Sequence, residues 1–179
     1  MTFTRAWSSA LIVVALACGA CSSGKDSSAP SSPKPTSIGP STSLSSEGLT
    51  ITSSAFAANG PIPSEYTCSG AGKTVPISYQ SDVVGATSLA LIVHDPEAPV
   101  SDGFTHWVVT GLPNGSGHIP PVPPGARQLV AWRPPCPPKG SAPHHYRFTL
   151  YAVRGPVTSQ SAIPKAAIAH VELVGTYSR

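Results

Sequence analysis

Leu89-Ala90-Leu91-Ile92-Val93-His94-Asp95-Pro96-Glu97-Ala98-Pro99 is the stretch on which the fold turns. Its first five residues are continuously apolar, which suits a central strand buried on both faces. Asp95-Pro96 then reads as a strand-ending turn. Outward from this stretch lie further short β-favouring runs: Leu49 to Phe56, Val75 to Tyr79, His106 to Leu112, His145 to Val153 and Val171 to Tyr177. Gly, Pro, Asn and Ser separate them and act as turn residues. In the run His145 to Val153, Tyr146, Phe148, Leu150 and Ala152 fall on one face, and His145, Arg147, Thr149 and Tyr151 on the other. Pro164 to His170 is the one plausible helix, with Pro164 suited to a first helical turn. Strands without alternating helices predict an all-β antiparallel sandwich with one short C-terminal helix. Residues 113–143 hold ten prolines in 31 positions and read as a long loop, because proline cannot join a central ladder. A stiff loop of this length near strand ends suits a site wall.

The start of the chain has a different texture. Arg5 is the only charge before Lys25, and the apolar run Ala10 to Ala17 follows it. That run is too short to span a bilayer, which takes ~20 residues, and the layout is that of a secretory signal. In Ala17-Cys18-Gly19-Ala20-Cys21-Ser22-Ser23, small residues precede a cysteine, as in a bacterial lipobox. Cys21 is the expected lipidation site and Cys18 the second choice; an ordinary secretory signal or a Cys18–Cys21 disulfide are the plainer readings. Two or three acyl chains would anchor durably, at about 0.8 kcal/mol per buried methylene. Of the 26 residues from 22 to 47, 19 are Ser, Pro, Thr or Gly. Such a composition cannot offset the entropy of ordering. The expected organisation is therefore a signal peptide at 1–20, a disordered tether at 21–47 and one domain at 48–179, with the mature protein held on the outer face of a bacterial membrane.

Net charge is +3 in 179 residues. Between Gly103 and Val171 stand Arg127, Arg133, Lys139, Arg147, Arg154 and Lys165, with no acid among them. Such a stretch favours an anionic partner or is simply a solvated basic face. It lacks the density and aromatic interleaving of a nucleic-acid surface, so no nucleic acid is expected.

Three motifs follow one another in order: His94-Asp95-Pro96-Glu97-Ala98-Pro99; Phe104-Thr105-His106-Trp107-Val108-Val109; and Pro134-Pro135-Cys136-Pro137-Pro138-Lys139-Gly140, leading into His144-His145-Tyr146-Arg147-Phe148. Together they resemble the phosphatidylethanolamine-binding protein family, in its bacterial Raf kinase inhibitor-like branch. Ile62 to Gly70 is similar to that family's opening segment and Leu173 to Arg179 to its closing strand, so the resemblance covers roughly residues 49–179. It implies a β-sandwich with a small anion-binding pocket formed by Asp95, His106, His144 and Tyr146. Two imidazoles and a phenol can donate to phosphate or carboxylate oxygens, and Asp95 can fix an imidazole tautomer. Taken singly, each residue also has a duller reading, as a turn Asp, a semi-buried His, a surface His pair or a core Tyr. The pattern departs from the family at Pro134, where a Gly is usual, and in a missing Asn-Asp stretch before it. Glu97 replaces a second Asp, and the segment from Ala169 to Glu172 is short.

Cys68 and Cys136 are the only cysteines beyond the signal region. In an exported domain they read most simply as a disulfide, with two free thiols as the alternative. The six histidines show no His-Glu-x-x-His spacing, and no metal or cofactor is expected. The implied function is non-enzymatic binding of a small anionic ligand, such as phosphate or a phospholipid head group. A protein-binding inhibitor or regulator, of a kinase or protease, is the alternative. A hydrolase ranks last, since no Gly-x-Ser-x-Gly or other recognisable nucleophile is present.

Overall fold

A computed structural model describes residues 44–46 and 48–179. The expected signal peptide, the candidate lipidation sites Cys18 and Cys21, and nearly all of the expected tether lie outside the described residues. Among the described residues, ten strands form two sheets. The first sheet runs in the order β1-β2-β4-β7, with β1 at Leu44–Ser46, β2 at Leu49–Ser53, β4 at Ile77–Ser81 and β7 at Gly117–Ile119. The second runs β3-β10-β9-β5-β6-β8. It comprises β3 at Gly60–Pro61, β5 at Ser88–Asp95, β6 at Phe104–Leu112, β8 at Arg127–Val130, β9 at His144–Val153 and β10 at Ala167–Tyr177. Neighbours are antiparallel except for β3, which adds to β10 in parallel through Gly60 and Pro61.

Alternation along the strands builds the core between the sheets. Leu49, Ile51, Ile77, Tyr79 and Ile119 from the first sheet pack with Leu91, Val93, Trp107, Phe148, Leu150 and Leu173 from the second. The Trp107 indole N–H donates to Gln128 Oε1 at 2.8 Å, so a large buried ring keeps its one polar atom satisfied. Strand β5 lies between β9 and β6, and both of its faces are covered as the sequence predicts. Leu89, Leu91 and Val93 face the main core, while Ala90 and Ile92 join a second cluster with Val108, Val153 and Ile163.

Three expectations are corrected. The helix is shorter than Pro164 to His170: a 3-10 turn at Gln160–Ala162 leads into α1 at Ile163–Ala166, and the chain then becomes β10. Ala167, Ala169 and His170 pair with Val153, Ala152 and Tyr151 across a bulge, so ladder pairing overrides the helix preference of Ala. The proline-rich stretch is not all loop, because β7 and β8 lie within it. Its apolar and polar residues between prolines find open edges, with Ile119 opposite Ile77 and Val130 opposite Val108. Finally, β1 falls inside the stretch assigned to the tether. It pairs with β2 from Leu44↔Ile51 to Ser46↔Leu49, and Gly48 next to the turn adopts a φ of 79°, a left-handed conformation that glycine takes without strain.

Candidate functional site

Strand ends bring most of the candidate residues to one place. Asp95 closes β5, His106 lies near the start of β6, and His144 and Tyr146 open β9. Because β5 lies between β6 and β9, the three strands deliver these side chains side by side. Asp95, His106 and His144 line a cavity of about 280 Å³. Tyr146 does not reach its wall. It is fully buried behind, its ring edge-on to His106 at 5.2 Å and roughly parallel to His144 at 6.5 Å between centroids.

The hydrogen bonds fix both imidazoles. His144 Nδ1 donates to Asp95 Oδ2 at 2.7 Å, and the other carboxylate oxygen accepts from the Glu97 backbone N–H at 2.9 Å. His106 Nδ1 donates to the Arg133 carbonyl oxygen at 2.7 Å. Carboxylate and carbonyl oxygens only accept, so each neutral ring carries its proton on Nδ1 and leaves the Nε2 lone pair free. Burial pushes His106 below the ordinary histidine range, against the opposing pull of the Arg133 carbonyl and the Asp95 charge. At neutral pH His106 is therefore uncharged. Burial, and then the negative charge of Asp95, drive the Tyr146 phenol far above its usual value. Its buried hydroxyl completes no well-formed hydrogen bond among the described residues.

The turn from Asp95 to Gly103 forms the rim. Gly103 has a φ of 70°, and a Cβ there would run into the Asp95 carbonyl and the His94 ring, so glycine is what lets this turn close. Glu97 ties the rim to β9 by accepting from the His145 backbone N–H and from His145 Nδ1, each at 3.0 Å. Partial burial works against its charge, but these bonds prevail and hold the Glu97 carboxyl below its ordinary range.

The opposite wall comes from the proline-rich segment: Arg133, Pro134, Cys136, Pro137 and Pro138. It is clasped to β6 by two bonds to one residue, since the Arg133 backbone N–H donates to the His106 carbonyl at 2.9 Å while His106 Nδ1 returns a bond. A disulfide joins Cys68 to Cys136, as the leftover pair predicts. The replacement of Gly by Pro134 leaves the cavity open. Sequence reasoning missed Phe104 and Arg133. The Arg133 guanidinium sits 5.7 Å from the centroid of the Phe104 ring, which packs edge-on to His106 at 4.8 Å. An arginine within a proline run beside an aromatic-Thr-His-Trp motif was the available signal.

The comparisons with known proteins agree with this architecture. Residues 52–178 match the family described as phosphatidylethanolamine-binding protein, and the chain belongs to that family. A Mycobacterium tuberculosis protein named lipoprotein LppC is 38% identical over 94% of this chain and 92% of its own length. A UPF0098 protein of Methanothermobacter thermautotrophicus is 35% identical over 73% of this chain and 99% of its own. Among solved structures, CT736 of Chlamydia trachomatis, a phosphatidylethanolamine-binding protein homologue, superposes with a TM-score of 0.64 at 32% identity, covering 75% of this chain and 99% of that one. YbcL of Escherichia coli gives 0.67 at 25% identity over 74% and 99%.

Proposed function

We propose that this protein is a membrane-anchored binding module of the bacterial cell envelope whose cavity takes a small anionic ligand, such as phosphate or a phospholipid head group. The observation that carries the reading is the convergence of His106, His144, Asp95 and Arg133 on one cavity. Arg133 brings a permanent charge that no carboxylate among the described residues pairs with. The two Nε2 atoms accept from a protonated ligand oxygen when neutral and donate to an anion when charged. An anion next to His106 favours the imidazolium, so binding takes up a proton and tightens as pH falls below neutral toward the lowered His106 value. The apolar remainder of the lining, Ala98, Pro99, Val100, Phe104 and the prolines, limits water around that charge.

Histidine ring NMR during titration with inorganic phosphate and with phosphoethanolamine tests the pocket. The His106 and His144 signals should move together and saturate, more steeply at pH 6 than at pH 8. If neither moves at ~10 mM of either compound, the reading fails. The anchor has its own test: Cys21→Ala should release the protein from the membrane fraction and remove the acyl mass, whereas Cys18→Ala should leave both unchanged. The relative named lipoprotein LppC supports this placement.

A further inference from the structure

The binding reading leaves one reactive group unused. Cys136 is exposed and lines the cavity, and its partner Cys68 is half-buried. Nη1 of Arg179 lies 3.3 Å from Cys136 Sγ and 3.6 Å from Cys68 Sγ. No carboxylate among the described residues pairs with Arg179. A bridge that is only structural does best among apolar neighbours, where its sulfurs are inert. This one is open to solvent, with a permanent cation pointed at both sulfurs.

We propose that Cys68–Cys136 is a thiol–disulfide exchange site that reacts with a dithiol reductant, and that Arg179 is the positioning residue that speeds its opening. One thiolate of the dithiol attacks Sγ of Cys136, the more exposed residue of the pair. A bond forms between the attacking sulfur and Cys136, the Cys68–Cys136 bond breaks, and its electron pair leaves on Cys68 Sγ. The second thiolate of the reductant then attacks its own sulfur in the mixed disulfide and expels the Cys136 thiolate. Two electrons pass from the dithiol to the bridge. The reductant ends as a disulfide, and the two protons it gave up are matched by those the two cysteines can take. A guanidinium beside a sulfur favours the thiolate, and a leaving group of lower pKa departs faster. Arg179 meets that requirement for either sulfur.

Opening the bridge acts on the cavity and not on the core. Three backbone bonds outlast it: Cys68 N–H to the Pro135 carbonyl at 3.0 Å, Arg133 N–H to the His106 carbonyl at 2.9 Å and Gly140 N–H to the Arg179 carbonyl at 2.9 Å. The wall from Arg133 to Pro138 stays attached but loses its covalent link to the segment around Ser64–Tyr66. None of this depends on the cavity taking an anion.

The test is kinetic and uses the full chain. Dithiothreitol reduction is quenched by alkylation, and Cys68 and Cys136 are followed by peptide mass spectrometry, which separates them from Cys18 and Cys21. The native bridge should open within about tenfold of its rate in the guanidinium-unfolded chain, as an accessible disulfide does. Arg179→Gln should slow native opening by roughly three- to tenfold and leave the unfolded rate unchanged, and Arg179→Lys should restore part of the loss. Full reduction should shift the His106 ring signal while the Phe148 signals stay in place. Native opening more than about a hundredfold slower than unfolded, or equal native rates for Arg179→Gln and the parent, overturns the proposal. An unmoved His106 signal overturns its link to the cavity.

Discussion

The two halves of the cavity are built on different principles. One half stands on the ends of β5, β6 and β9, whose side chains are locked by a core on one face and a smaller apolar cluster on the other. The other half is the proline-rich wall, held by a disulfide, a handful of backbone bonds and the Trp132 indole donating to the Gly72 carbonyl at 3.1 Å. The strand half fixes its imidazoles and carboxylate through burial and hydrogen bonds. The wall supplies charge and shape through covalent and backbone restraint, with most of its residues near solvent. The two halves should therefore respond to different perturbations.

The largest expected effect separates them most sharply. Phe148 is fully buried and packs against Phe56 at 5.6 Å between centroids. Phe148→Ala should cost about 3–5 kcal/mol of unfolding free energy in a denaturant titration, with the wall's disulfide still formed. A smaller loss is expected on the other side. Cys68→Ser combined with Cys136→Ser opens a closure of 68 residues in sequence separation and should cost about 2–4 kcal/mol. The His144–Asp95 hydrogen bond should survive it, visible as an unchanged His144 tautomer by NMR. A changed tautomer would show that the halves are not separable.

The smallest effect is one of pH. His106 is held below its ordinary value by burial, so the unfolded chain binds its proton more readily than the folded one. Stability should therefore decline as pH falls through about 6.5 toward the folded value, with a slope of at most ~1.4 kcal/mol per pH unit from this residue. His106→Gln should flatten that part of the profile in thermal melts across pH 5 to 8. An unaltered slope would place the titration elsewhere.

The strand half was largely legible in the sequence. Five apolar residues in a row announced β5, and the Asp-Pro, His-Trp and His-His-Tyr motifs marked the ends of three strands that prove to be neighbours. Tyr146 was expected at the pocket but stands behind its wall, because depth relative to a cavity depends on which face a strand turns inward at its very end. The wall was harder to read. Proline density hides short edge strands such as β7 and β8, whose pairing is decided by an open neighbour rather than by local propensity. Arg133 acts through its backbone as much as its side chain, and backbone partners carry no residue code. The helix was overestimated for the same reason, since Ala167 to His170 follow their partner strand.

The double-sided burial of β5 has a dynamic consequence. Amides near Ile92 and Val93 should exchange with deuterium only when the whole domain opens, making this strand the slowest clock in the molecule. Asp95 ends that strand, so the one carboxylate lining the cavity is mounted on the most protected element.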